Sequence, residues 1–333
     1  MPTDASSETD LLIIGAGPVG LFGAFYAGLR GLSVTLLDAL PTAGGQISAM
    51  YPEKDILDVA GFPRVKGRDL VADLVTQAEP FSPTYLLEQE AVAMTSDTDG
   101  VVVSTRAGLD VRAKAVLLTG GIGSFSPKPL PAAADWTGDP ILHFVEHPAY
   151  LASRDVVIVG GGDSAVDWAL MLSPIALSVT IVHRRDRFRA HAGLVDRVRD
   201  LGVKFVVPAE VTKLIGTDGH LEAVEVTDAK AKHVRTLSCS AIVAALGFHA
   251  ELGPLAEWGL TLEGRHVVVD STGSTGIDRV YAAGDLVTYP GKVALLATGF
   301  GEVATAVNNA AARLDPHSSL FPGHTTAITD AEH

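Results

Sequence analysis

Gly15-Ala16-Gly17-Pro18-Val19-Gly20 has the spacing G-x-G-x-x-G and directly follows an apolar run at residues 11–14. Bare glycines at these positions let a backbone approach a pyrophosphate at the positive end of the helix that follows. The next apolar run, residues 33–37, is closed by Asp38. A carboxylate there accepts hydrogen bonds from the ribose hydroxyls of an unphosphorylated adenosine and repels a 2′-phosphate, so this site suits FAD or NAD. Gly160-Gly161-Gly162-Asp163-Ser164-Ala165 repeats the pattern after residues 155–159, with Ala165 in the last place. Its following run, 178–182, ends in His183-Arg184-Arg185, with Arg189 close behind. The planar forks of guanidinium groups suit a phosphate, which points to NADPH. Two dinucleotide sites of opposite charge preference imply electron transfer between nucleotides, FAD in the first and NADPH in the second. Hydride delivery to a flavin needs no side-chain acid, base or nucleophile, so no proton-transfer residue is assigned.

These residues need strands and helices to hold them. Residues 11–14, 21–29 and 33–37 read as strand, helix and strand around a glycine turn, and 155–159, 164–172 and 178–182 read the same way. Residues 101–105 and 111–113 flank Arg106-Ala107-Gly108 as a hairpin, and 115–119 runs into Gly120-Gly121 as a core strand. The second half offers a matching hairpin at 221–227 and 234–237, then 241–246 running into Gly247. Two Pro- and Gly-containing stretches, 123–131 and 247–254, are natural crossovers. The expected fold is α/β, with two Rossmann-like three-layer ββα domains, the second inserted in the first. Residues 1–122 and 249–333 form the FAD-binding domain, the latter with a long helix over 293–312 and a C-terminal tail. Residues 123–248 form the NADPH-binding domain.

A length of 333 residues accommodates two such domains. Hydrophobic residues at 47% and charged residues at 19% describe a packed globular chain. Lys+Arg 25 against Asp+Glu 39 leaves −14, a surface that repels nucleic acid at long range. The N-terminal residues lack a basic start and apolar stretch, and no apolar run approaches the roughly 20 residues that span a bilayer. A soluble, cytoplasmic protein with no membrane partner is expected. Cys239 is the only cysteine. One thiol excludes an intramolecular disulfide, a CxxC redox pair and a cysteine-based zinc site, and no metal is expected.

With these motifs in order, the chain resembles the two-domain flavoproteins of the thioredoxin reductase group. GAGPVG, Gly44-Gly45-Gln46, GGGDSA, HRRDRFRAH and Tyr281-Ala282-Ala283-Gly284-Asp285 carry the resemblance across nearly the whole length. Thioredoxin reductases carry a CxxC ahead of the second fingerprint, whereas residues 141–151 contain no cysteine, so dithiol relay is impossible here. The chain looks most like the cysteine-free branch, the thioredoxin-reductase-like (type 2) ferredoxin–NADP reductases. Tyr51-Pro52-Glu53-Lys54, Val59-Ala60-Gly61-Phe62-Pro63, Thr288-Tyr289-Pro290-Gly291-Lys292, Gly299-Phe300-Gly301-Glu302 and Pro322-Gly323-His324-Thr325-Thr326 match that branch. The resemblance implies that Asp38, Gln46, Tyr51, Val92, Phe125, Asp285 and Thr326 contact FAD, beside the fingerprint residues Gly15, Gly17, Pro18, Gly20 and Gly45. It implies that Tyr51 stacks on one face of the isoalloxazine and that His324, from the tail of a homodimer partner, covers the other. Gly160, Gly162, Asp163, Ser164, Ala165, His183, Arg184, Arg185 and Arg189 are then the NADP(H) contacts.

The activity implied is hydride transfer from NADPH to flavin, then single-electron transfer to ferredoxin or flavodoxin. A reductase of quinones or other small oxidants, and a non-catalytic redox- or nucleotide-sensing protein, are the alternatives. Such acceptor proteins are acidic, like this chain, so encounter requires a local basic patch, for which Arg64, Lys66 and Arg68 are the candidates.

Overall fold

Four consecutive apolar residues, Leu11 to Ile14, suit a strand covered on both faces, because side chains alternate and each face needs its own apolar partner. In the computed structural model, which describes residues 8–323, they lie in β1 (Glu8–Ile14), none of them more than 7% exposed. The chain turns through the first fingerprint into α1 (Pro18–Leu29), where Pro18 takes a first-turn position whose N–H would lack a helical partner anyway. There follow β2 (Val34–Leu37), α2 (Gly45–Met50), β3 (Asp55–Ile56), β4 (Val65–Lys66), α3 (Gly67–Ala78), β5 (Thr84–Leu86), β6 (Ala91–Ser96), β7 (Val101–Thr105) and β8 (Asp110–Leu118).

After β9 (Ser124–Pro127), a second strand-turn-helix unit begins with β10 (Asp155–Val159), α4 (Asp163–Leu172), β11 (Ser178–Val182), α5 (Ala192–Asp200) and β12 (Lys204–Val206). The expected hairpin is the outer part of a three-stranded antiparallel sheet, β13 (Ala209–Thr217), β14 (His220–Asp228) and β15 (Val234–Ser238). The chain then runs through β16 (Ala241–Ala244) and β17 (Phe248–Glu251). It continues with β18 (Leu262–Glu263), β19 (His266–Val268), β20 (Val280–Ala282), β21 (Val287–Thr288) and α6 (Leu296–Leu314). Its contacts divide it into two units: the chain up to Ser124 together with the chain from Ala250, and Phe125–His249 inserted between them.

The main sheet of the first unit has the order β5-β2-β1-β8-β7-β6, with β20 also paired to β8. Where the sequence reads a hairpin strand and a separate core strand, the structure has one continuous β8. Its first residues pair antiparallel with β7, its last pair parallel with β20, and β1 runs parallel along its other edge. Alternation along β1 builds the layers. Leu11 and Ile13 pack with α1, α3 and α6 residues such as Leu21, Leu74 and Val303, while Leu12 and Ile14 pack with Val101, Val103 and Val267 on the opposite face. Burying side chains of this size contributes roughly 1.5–3 kcal/mol each, which fixes the register of the strand.

The second unit is built by the same rule around β12-β11-β10-β16. Val156 and Ile158 face the helices, with Val166 and Val198, while Val157 and Val159 face the three-stranded sheet, with Val224 and Val226. The long helix starts at Leu296 and not at 293, because Gly291 turns the chain at φ +85° and Leu295 is still extended. Among the described residues, no helix is long and apolar enough to cross a membrane.

Candidate functional site

In both units the chemistry-bearing residues sit at the carboxyl ends of parallel strands, the edge where ligands bind in open α/β sheets. In the first unit β1 ends at the fingerprint, β2 at Asp38, β8 at Thr119-Gly120-Gly121 and β20 at Ala283-Gly284-Asp285. The glycines of the fingerprint divide their tasks. A methyl carbon built on Gly15 would lie 2.5 Å from the Thr119 carbonyl oxygen, and one on Gly20 would lie 1.9 Å from the Gly15 carbonyl oxygen. These two are glycine because strand, turn and helix close on each other there. A methyl on Gly17 would meet nothing within 4 Å, so that position faces open space at the start of α1. This is the cradle a pyrophosphate requires, and the residues present fit FAD.

Gly44 donates its N–H to the Ala16 carbonyl at 2.8 Å, and a methyl on Gly45 would lie 3.0 Å from Gly17 Cα, so α2 begins against the fingerprint. The Gln46 amide reaches toward Gly121, its Nε2 3.1 Å from where that residue's methyl would stand. Thr119, to which the motifs assign no role, donates its hydroxyl to the Gly15 carbonyl at 2.7 Å and locks the turn; its position just ahead of Gly120-Gly121 is the local sign of that task.

Asp38 Oδ2 accepts the Ala16 N–H at 2.6 Å and Oδ1 the Leu40 N–H at 2.8 Å, so the carboxylate is fixed by backbone and each oxygen keeps a lone pair for a further donor. Burial pushes its pKa above the ordinary carboxylate value, opposed by those two hydrogen bonds. Tyr51, half-buried at the end of α2, has its phenol pushed up first by burial and then by the carboxylates of Asp285 and Asp58. Tyr51 and Asp285, remote in sequence, are thus brought together. Val92 lies on β6, its carbonyl accepting the Trp258 indole N–H at 3.4 Å. Phe125 is the first residue of the second unit and packs edge-to-face on Phe248 at 6.0 Å. His324 and Thr326 lie outside the described residues.

In the second unit a methyl on Gly160 would lie 2.3 Å from the Ala245 carbonyl oxygen, and Ala165 is fully buried behind it. Gly162 faces open space except for Arg189, whose Nη2 would stand 3.7 Å from a methyl there. Arg189 also donates its backbone N–H to the Gly161 carbonyl at 2.8 Å, and Asp163 Oδ1 accepts the His191 N–H at 3.3 Å. Ser164 is exposed on the first turn of α4. His183 plays a different part from its arginine neighbours. Its ring supports the loop beneath Gly161, 5.2 Å from the Phe188 ring, with Nε2 buried and unpartnered. Burial, then the charges of Arg184, Arg185 and Arg189, lowers its pKa, so it is a neutral support and not a fourth cation. Among the described residues, none of Arg184, Arg185 and Arg189 is paired with a carboxylate.

The basic patch expected at Arg64, Lys66 and Arg68 is not one. Arg64 pairs with Asp55 at 3.1 Å, Lys66 with Glu53 at 3.5 Å, and Arg68 with both Glu53 and Asp69. These three cations are matched by three carboxylates, Asp55, Glu53 and Asp69, so together they present no net positive charge.

Cys239 is fully buried, donating its thiol to the Ala241 carbonyl at 3.2 Å, and burial pushes its pKa up to about 12. A thiol so protonated is no nucleophile. Iodoacetamide at about pH 8 is expected to leave the native protein unmodified and to label it stoichiometrically once unfolded, read by mass spectrometry. Labelling of the native protein would refute the burial of this thiol.

Two nucleotide-binding units, one inserted in the other and without a redox dithiol, define a pyridine-nucleotide-dependent flavoprotein class. The chain belongs to the pyridine nucleotide-disulphide oxidoreductase family, whose profile matches residues 9–310. Within it, the chain is similar to ferredoxin–NADP reductases: it is 56% identical to that of Frankia alni over 96% of this chain and 100% of the relative. It is also 56% identical to that of Saccharopolyspora erythraea, over 97% of this chain and 99% of the relative. Among solved structures, the thioredoxin reductase of T. acidophilum shares the fold at a TM-score of 0.78 and 24% identity, over 93% of this chain and 99% of that one.

Proposed function

We propose that the protein is an FAD-dependent ferredoxin–NADP reductase, with FAD in the first unit and NADP(H) in the second. The observation that carries this reading is the contrast between the two strand ends: a backbone-held carboxylate at Asp38, and guanidinium groups at Arg184, Arg185 and Arg189 that pair with no carboxylate among the described residues. The relatives named ferredoxin–NADP reductase support ferredoxin as electron partner. When bound, FAD and NADPH together supply hydride transfer and the release of electrons one at a time.

The chain's own work is alignment. Gly17 leaves room for the pyrophosphate at α1, and the free lone pairs of Asp38 take the adenosine ribose hydroxyls. Gln46, Tyr51 and Asp285 bound the flavin, with Val92, Phe125 and Thr326 as further contacts. Gly162, with the first turn of α4 at Asp163, Ser164 and Ala165, holds the second pyrophosphate; Arg184, Arg185 and Arg189 take the 2′-phosphate. In a homodimer, the tail of one copy brings His324 over the flavin face opposite Tyr51. A cytoplasmic location goes with this chemistry, since NADPH is made there. Flavodoxin is the second acceptor this site would serve.

The test is one set of assays on the purified protein: identification of the bound flavin, NADPH against NADH, and ferredoxin against flavodoxin, thioredoxin with a disulfide, and quinone. FAD, NADPH preference and turnover with ferredoxin or flavodoxin are expected. Preference for NADH, or turnover confined to quinone, would overturn the reading.

A further inference from the structure

Lys292 and Glu302 form an ion pair with side chains only 10% and 12% exposed. Both also hold a single glycine. Glu302 Oε2 accepts the Gly284 N–H at 2.8 Å, and Lys292 Nζ donates to the Gly284 carbonyl at 3.0 Å. The other Glu302 oxygen accepts from the Lys292 ammonium and from the Tyr289 hydroxyl, at 2.6 Å for the latter. That bond, with burial and the carboxylate charge, pushes the Tyr289 phenol up to about 12. Gly284 sits at φ +82°, in the left-handed region, and immediately precedes Asp285. A methyl on it would lie 3.3 Å from the Val19 side chain, and one on Gly299 of α6 would lie 2.6 Å from the same side chain. The turn is therefore pressed between the start of α1 and α6, with no side chain of its own to hold it.

A buried ion pair is a poor way to gain stability, since apolar residues of the same size fill such a space as well or better. What it adds here is direction: a donor and an acceptor aimed at the two polar groups of one glycine. We infer that Lys292 and Glu302 are positioning residues, a two-pronged clamp on Gly284 that fixes Asp285 and the start of α6 for the flavin. The inference rests on the placement of FAD in the first unit.

The test compares Lys292→Met, Glu302→Leu and the double variant with the parent protein. The readouts are the FAD dissociation constant on reconstituting the apoprotein, the visible spectrum and midpoint potential of the bound flavin, and the melting temperature of the apoprotein. Each single variant is expected to bind FAD roughly tenfold or more weakly and to move the potential, as truncating one partner of a buried hydrogen-bonded pair does. The double variant leaves no uncompensated charge, so its apoprotein melts like the parent while its FAD affinity and potential stay altered. Affinity and potential that return to parental values in the double variant would make the pair a purely structural feature and overturn the clamp. Tyr289→Phe removes one hydrogen bond to Glu302 and no charge, and is expected to shift affinity and potential in the same direction by a smaller amount. Should both charge variants fail to fold, unchanged values in Tyr289→Phe would overturn the clamp. A parent protein that takes up no FAD would instead remove the functional reading beneath it.

Discussion

Replacing Arg184 and Arg185 together by alanine is expected to lower kcat/KM for NADPH by about 10²-fold or more and to leave NADH within roughly twofold, because charge-assisted hydrogen bonds are worth about 1.5–3 kcal/mol each. The 2′-phosphate is the only group that separates the two nucleotides, so a loss confined to NADPH reports that contact alone. The structure sharpens the expectation. Among the described residues neither guanidinium has a carboxylate to release before it meets a phosphate, unlike Arg64 and Arg68, which are already paired. Both arginines are exposed, so the effect should shrink as salt is raised. Arg189 is a contrasting case. Its side chain also lies over Gly162, so Arg189→Ala should weaken NADH as well as NADPH, with the larger loss on NADPH. Equal losses for NADPH and NADH in the Arg184/Arg185 variant would show that these residues do not read the phosphate.

Gly17→Ala and Gly20→Ala, one turn of helix apart, are expected to fail in opposite ways. Gly17 has φ −69°, which any residue adopts, and open space ahead of it. Its alanine variant should fold with a parental melting temperature as apoprotein yet bind FAD about 10²-fold more weakly, the methyl standing where the pyrophosphate must approach. At Gly20 the same methyl would lie 1.9 Å from the Gly15 carbonyl oxygen and 2.8 Å from Thr119 Oγ1. Backbone cannot yield as a flexible side chain can, so Gly20→Ala should cost about 1–3 kcal/mol or more of stability and lose flavin only as a consequence of unfolding. Thermal melting of the apoprotein together with flavin content separates the two outcomes. Stoichiometric, parental-affinity FAD in Gly17→Ala would place the flavin somewhere other than this fingerprint.

Much of this was legible before any coordinates. The two strand-glycine-helix units, the opposite charges at their strand ends and the solitary cysteine are local patterns. Spacing and residue type determine them because they reflect backbone geometry over a few residues. The fold class follows, since a strand that is apolar at every position must be covered on both faces.

What tertiary structure alone decided is the choice of partner. His183 leads a run that holds four arginines in sequence, but the loop above it buries its ring and keeps it neutral. Arg64, Lys66 and Arg68 read as a basic patch until Glu53, Asp55 and Asp69 are found against them. β8 reads as two strands because nothing local shows that its far end pairs with β20. Tyr51 comes within the field of Asp285, and Lys292 with Glu302 grips Gly284, only once the sheet and α6 have closed. A sequence carries the identity of each charged or polar group, but hydrogen bonds and Coulomb interactions act through space over a few ångströms. Which groups come within that reach is set by the folded chain.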